Sequence, residues 1–252
     1  MFAVPECVPY RKRFAEKLRR KKAVQRVRVP VPGGASFFRL IVPTYGEMPW
    51  QAVQAAVGTL PVLLPDGVHA PEDVPLRVFV PQRFPLLCAA QTAAFLLRQR
   101  APIPSLGVLD PGGALRGKAA ILLPVAREVR IVTDRPERFA EDVQIAMREW
   151  GAALTVGRER TLLRNCTAIL CENGDDVSSA EAVFCVRQSM QRADTVCLSR
   201  FVPPPDLDAL RPAKIDPLLF AAALYELCGV RMPERCRFAD FHAGTQSAGF
   251  FS

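Results

Sequence analysis

An α/β fold, with a mostly parallel sheet and helices on both faces, is what this sequence predicts from three observations. Short apolar or β-branched runs alternate with helical stretches along most of the chain, and that alternation implies parallel strands joined by helical crossovers. Half of the 252 residues are apolar, enough to bury one large core or two smaller ones. The second half spaces its elements as repeated strand-turn-helix units do. Together these features make a Rossmann-like layout.

The elements follow in order. Tyr10, Phe14 and Leu18 recur at helical spacing within a charged run, so a helix is expected over residues 13–22, with Pro30 and Pro32 beyond it as breakers. The apolar run from Phe37 to Val42 predicts a buried strand. Pro49 suits a first helical turn and opens a short helix to Val57. Val62-Leu63-Leu64 and the run from Leu76 to Val80 predict further strands. Residues 84–98 are apolar on nearly all sides, the pattern of a helix covered by a sheet and by neighbours together.

Next come strand 106–109, helix 114–126, strand 129–133, helix 136–150, strand 154–156, a helical turn near Leu162 and strand 168–171. Residues 182–186 and 195–198 predict two more strands. Pro203-Pro204-Pro205 begins a rigid connection to a closing helix at 217–228, stopped by Gly229. The chain thus divides into a basic N-terminal arm and helix at 1–32, an N-terminal α/β half at 33–103, a Rossmann-like half at 104–237 and an irregular tail at 238–252. No proline- or glycine-rich linker separates the halves, so one compact unit or two intimately packed halves are expected.

Charge is concentrated in the arm. Between Tyr10 and Arg28 stand ten basic residues and one acid, while the whole chain has a formal net charge of +8, which leaves the remainder close to neutral. The run from Arg11 to Arg28 is a candidate contact for an anionic partner, either nucleic acid or a membrane surface. Only Tyr10 and Phe14 within it are aromatic, too few for a base-stacking platform.

Eight cysteines sit mostly inside apolar runs such as Leu86-Leu87-Cys88-Ala89, and they read as small core residues in a reducing compartment. The first residues lack a signal-peptide pattern, and no apolar stretch reaches the roughly 20 residues a spanning helix needs, so a cytoplasmic location is the expectation. Two histidines, His69 and His242, with no Cys-x-x-Cys, offer no pattern for a metal centre. No Gly-x-Ser-x-Gly nucleophile turn occurs. Cys236, Asp240 and His242 fall within seven residues, but closeness in sequence is not the arrangement that activates a thiol.

The segment Leu106-Gly107-Val108-Leu109-Asp110-Pro111-Gly112-Gly113-Ala114-Leu115-Arg116-Gly117-Lys118-Ala119 reads as strand, glycine turn and helix start. A helix N-terminus offers unpaired amides and a positive dipole end, and glycine lets backbone approach a phosphate without a Cβ in the way. Gly112, Gly117 and Lys118 meet phosphate-loop spacing, yet Ala119 stands where a magnesium-binding hydroxyl is needed. The dinucleotide fingerprint is met in part by Gly112, Gly113 and Gly117, with Asp134 at the end of the next strand, where a ribose acceptor belongs. Asp134 would bond the ribose hydroxyls of NAD, whereas the neighbouring Arg135 would accept the extra phosphate of NADP. The alternative is a plain tight turn at Gly112 and Gly113, with Asp134 capping the helix that follows.

Residues 129–139, Val-Arg-Ile-Val-Thr-Asp-Arg-Pro-Glu-Arg-Phe, and the stretch from there to Gly151 resemble the second-strand region of the nicotinamide-binding domains of shikimate dehydrogenase and glutamyl-tRNA reductase. The resemblance spans residues 104–197 and is one of layout. It implies a Rossmann domain with a nicotinamide cofactor, NAD or NADP, while the histidine and cysteine pattern above leads to the expectation of no metal. The shikimate-type Lys/Asp pair and the reductase's Ser-Thr-Cys-Asn-Arg stretch are both missing, so neither activity carries over. Two readings of function stand. One is a Rossmann-like protein with a degenerate dinucleotide site at Gly112, Gly113, Gly117, Asp134 and Arg135, an oxidoreductase relative with lost or altered activity. The other is a non-catalytic interaction protein that recruits an anionic partner through its basic arm.

Overall fold

The structure, a computed structural model, describes residues 1–9, 23–44, 47–98, 103–151, 153–174, 177, 180–187 and 194–243. The helix expected over 13–22 lies outside the described residues. The chain forms two compact units: residues 1–81 with 203–231, and residues 82–202 with 232–252. The helix at 84–97 therefore belongs with the strands that follow it, and the one at 217–228 belongs with the chain's first strands.

In the first unit, β1 (Ala3–Pro9) lies parallel to β3 (Ser36–Thr44), and β2 (Gln25–Pro30) pairs with β3 on its other side in antiparallel register. Neither β1 nor β2 stands out in sequence, because β1 carries prolines and β2 alternates arginine with valine at a sheet edge, where an apolar run is not required. Arg26 lies 3.6 Å over the Phe38 ring, and Arg28 donates to the Ser36 hydroxyl at 3.0 Å, so the last basic residues of the arm are held by β3.

The expected strands at 62–64 and 76–80 survive only as single-residue bridges, Ala3 to Val62 and Val62 to Val78. Pro61, Pro65, Pro75 and Pro81 flank them and remove the amides a longer ladder needs. Helix α1 (Trp50–Val57) buries Val53 and Val57 in a cluster with Ala3, Leu40, Val42, Val62 and Leu64. Near the fully buried Phe37, Phe2 stacks at 5.2 Å and Phe220 meets the ring edge-on at 5.4 Å.

The second unit opens with α2 (Phe84–Leu97), then β4 (Ser105–Leu109), β5 (Glu128–Val132), α3 (Ala140–Ile145), β6 (Ala153–Gly157), β7 (Ala168–Asn173), β8 (Ala182–Arg187), β9 (Thr195–Val202) and β10 (Arg237–Ala243). Two short helices in the returning stretch, α4 (Pro205–Asp208) and α5 (Pro217–Cys228), belong to the first unit. Asp216 caps α5 by accepting the Leu219 amide at 2.8 Å, and Gly229 ends it in left-handed conformation.

The seven-stranded sheet runs β6-β5-β4-β7-β8-β9-β10, with β10 alone antiparallel. Numbered from β4, the parallel strands take the order 3-2-1-4-5-6, the doubly wound Rossmann order, whose reversal between β4 and β7 marks the switch point. The mixed α/β architecture with a mostly parallel sheet is thus the one the alternation predicts. Helix α2 packs on β7, β8 and β10.

Two expectations are corrected in this unit. Residues 114–126 form no α-helix but two 3-10 turns, Ala119–Ile121 and Leu123–Val125, because Gly117 sits at φ +66° and Pro124 interrupts the ladder that an α-helix requires. The tail is not irregular from residue 238: β10 pairs with β9, and Phe238 is buried. Its charged and polar residues hide an edge strand that needs only one face covered.

Gly107 lies in β4, where an added Cβ would come within 2.8 Å of Leu163 Cδ2 and 3.2 Å of Cys166 Sγ. Gly107→Ala is expected to lower stability by about 1–2 kcal/mol through overpacking, read as a lower urea midpoint at constant slope.

Candidate functional site

β4, β5 and β6 end at the same edge of the sheet, and Gly112, Gly113, Gly117, Asp134 and Arg135 follow β4 and β5 in the chain. The Asp110 amide donates to Val132 O at 2.8 Å and the Thr133 amide to Gly157 O at 2.9 Å, which places the glycine turn after β4 beside the Asp134 loop after β5. This carboxyl edge, at the switch point, is where α/β sheets bind ligands.

What fills the turn is the chain's own carboxylates. Asp110 is 1 % exposed. Its two oxygens accept the amides of Ala114 at 2.7 Å and Leu115 at 2.9 Å, and its carbonyl accepts Gly113 at 3.2 Å. Asp142, on α3, accepts the Gly117 amide at 2.9 Å. The Arg116 amide goes to Gly113 O and that of Lys118 to Leu115 O. Every amide from Gly113 to Lys118 is therefore engaged within the chain, and a pyrophosphate would meet both a shortage of donors and two carboxylates. Burial pushes the Asp110 carboxyl above its usual range, against the lowering effect of the amides it accepts.

The glycines have backbone reasons of their own. Gly113 and Gly117 take φ +71° and +66°, conformations that a side chain disfavours, and a Cβ on Gly112 would lie 3.3 Å from Gln82 O. Asp134 and Arg135 are both exposed. Asp134 does not cap the following helix, which has Arg135 at its N-cap and no side-chain cap bond. Lys118 reaches Glu234 at 3.7 Å, with both side chains substantially exposed.

Asp110 and Asp142 are the residues that sequence reasoning passed over. A carboxylate between a strand and a glycine turn carries the wrong sign for a phosphate cradle, and that signal was available at Asp110. Asp142 had none, since only the fold brings α3 to Gly117.

Elsewhere in the unit, Cys236 is buried and Asp240 holds Arg200 through two contacts of 2.7 and 3.0 Å. Cys171, Cys185 and Cys197 lie in register on β7, β8 and β9, in one apolar cluster with Cys166. Burial, reinforced by the neighbouring Cys236 thiol, pushes Cys88 up, and burial raises Cys166 as well; neither has the low pKa of a reactive thiol. No group of three or more metal-ligating side chains occurs among the described residues, and no helix there is long and apolar enough to cross a membrane.

No family model matches this sequence, and no curated protein matches it. Among solved structures it is similar to L-tryptophan dehydrogenase from Nostoc punctiforme, at 12% identity and a TM-score of 0.34, with 88% of this chain and 67% of that one covered. The Rossmann assignment rests on the strand order of the second unit.

Proposed function

We propose that this chain is a Rossmann-like protein whose dinucleotide site is degenerate, and that it acts as a non-catalytic interaction protein. The observation that carries this reading is the capture of the glycine-turn amides by Asp110 and Asp142. A site of the kind expected at Gly112, Gly113, Gly117, Asp134 and Arg135 needs those donors for phosphate. Calorimetric titration of the protein with NADH and NADPH tests it. The expected result is no saturable heat up to about 1 mM ligand, and a micromolar dissociation constant for either nucleotide would overturn the reading.

The partner in this proposal is anionic, and the support is the charge distribution: ten basic residues and one acid over residues 10–28 in an otherwise near-neutral chain. Association with such a partner is driven by counterion release and weakens steeply with salt. Binding to anionic vesicles and to RNA, each measured across a salt series, should fall at least about tenfold when the basic residues at 11–22 are replaced by glutamine. Unchanged affinity for both would remove the arm from the function.

A further inference from the structure

The second unit carries a cleft whose lining includes none of the residues of the glycine turn. It has a volume of about 680 Å³ and lies between α2, the β9–β10 edge and the turn at Ile121. Gln91, Ala94 and Phe95 line it from α2 and Arg98 from the C-cap of that helix, and their spacing is that of one helical face. Phe238 and Ile121 add apolar surface, and Arg200 and Arg237 add charge.

Three details give this cleft the character of a binding site. First, Phe95 is 70% exposed on a helix otherwise buried on most sides, so the cleft presents an aromatic ring to solvent. Second, the wall is fixed. The Thr92 hydroxyl donates to Cys88 O at 3.0 Å and accepts the Phe238 amide at 3.4 Å, tying β10 to α2. Arg200 stands at φ +45° within β9, a conformation disfavoured for a non-glycine residue that persists where the surroundings over-determine it; its guanidinium pairs with Asp240.

Third, the charges do not cancel. Glu234, also in the lining, faces Lys118, and Arg200 is matched by Asp240. Arg98 and Arg237 have no carboxylate partner among the described residues. Two unmatched guanidinium groups beside an apolar floor select a ligand with an apolar body and an anionic oxygen head, since the guanidinium fork matches carboxylate or phosphate oxygens. A volume of this size falls in the range of small-molecule sites.

We infer that this cleft binds a small amphipathic oxyanion, its apolar body against Phe95, Ile121 and Phe238 and its head on Arg98 and Arg237. Titration calorimetry on the full chain, with 4-phenylbutyrate and phenyl phosphate as probes and 4-phenylbutanol as the neutral control, tests the inference. At least one anionic probe is expected to bind with a dissociation constant of about 1 mM or below, and the alcohol about fivefold or more weaker. Whichever anion is preferred identifies the head group as carboxylate or phosphate.

The double variant Arg98→Gln/Arg237→Gln should lose about tenfold in affinity for that anion, while Arg127→Gln, an exposed arginine outside the cleft, should lose nothing. Because Arg98 and Arg237 are exposed, their replacement leaves the fold intact, which circular dichroism verifies. Absence of binding by both anions at about 10 mM, equal binding of the alcohol, or full affinity in the double variant would each overturn the inference. None of these outcomes depends on the nucleotide or salt-series results.

Discussion

Asp110→Ala is expected to destabilise the protein by about 2–5 kcal/mol, because it strips acceptors from two buried amides, each worth about 1–3 kcal/mol when left unsatisfied. The amides belong to Ala114 and Leu115, bonded at 2.7 and 2.9 Å, and solvent cannot replace the lost partner at a residue that is 1 % exposed. Urea unfolding followed by far-ultraviolet circular dichroism measures the loss. Asp110→Asn keeps one acceptor oxygen and leaves one amide unpaired, so it should lose less than Asp110→Ala, about 1–3 kcal/mol.

The two variants also separate charge from geometry. Burial makes the folded chain hold the Asp110 proton more tightly than the unfolded chain does. Over the interval that opens at the ordinary aspartate value and closes at the raised one, the native state is the more protonated. Stability from this group is full below that interval, falls as pH rises through it and is level above it. Asp110→Asn should flatten this part of the stability profile, and an unaltered slope would assign it to other carboxyls.

Phe37→Ala should cost about 3–5 kcal/mol, the range for removing a large buried aromatic side chain. The ring is fully buried, stacks on Phe2 and receives Phe220 edge-on, so its removal breaks two ring contacts as well as opening a cavity. Hydrogen exchange should show lost protection in β1 and β3 first. Val27→Ala, at an exposed position on β2, should change stability by less than about 0.5 kcal/mol.

Where alternation or helical period coincided with burial, the sequence was legible. Helix α5 ends where Gly229 says it should, and the strands from β4 to β9 fall in apolar runs. Legibility failed where one face is wet or the ladder is broken. β2 and β10 are edge strands, β2 alternating arginine with valine and β10 carrying Arg237, Asp240 and His242 among its apolar residues, and the pairings at Val62 and Val78 are cut short by prolines. The strand-turn-helix order locates the glycine turn in the sequence but leaves an open donor array and a plain tight turn as equal readings of it. Its amides are spoken for by Asp110, adjacent in sequence, and by Asp142, which only tertiary structure brings near.

The first unit is stitched from residues 1–81 and 203–231, and that has a consequence for synthesis on the ribosome. β1, β2, β3 and α1 emerge early, yet Phe220, which closes the aromatic trio, arrives some 180 residues after Phe37. Until then the nascent sheet displays Phe2 and Phe37 uncovered, while the intervening 121 residues from 82 to 202 are already able to pair their strands. The unit begun first therefore receives its last segment only after strands β4 to β9 of the other have emerged, and its exposed rings during that wait make it the segment where a holding chaperone would act.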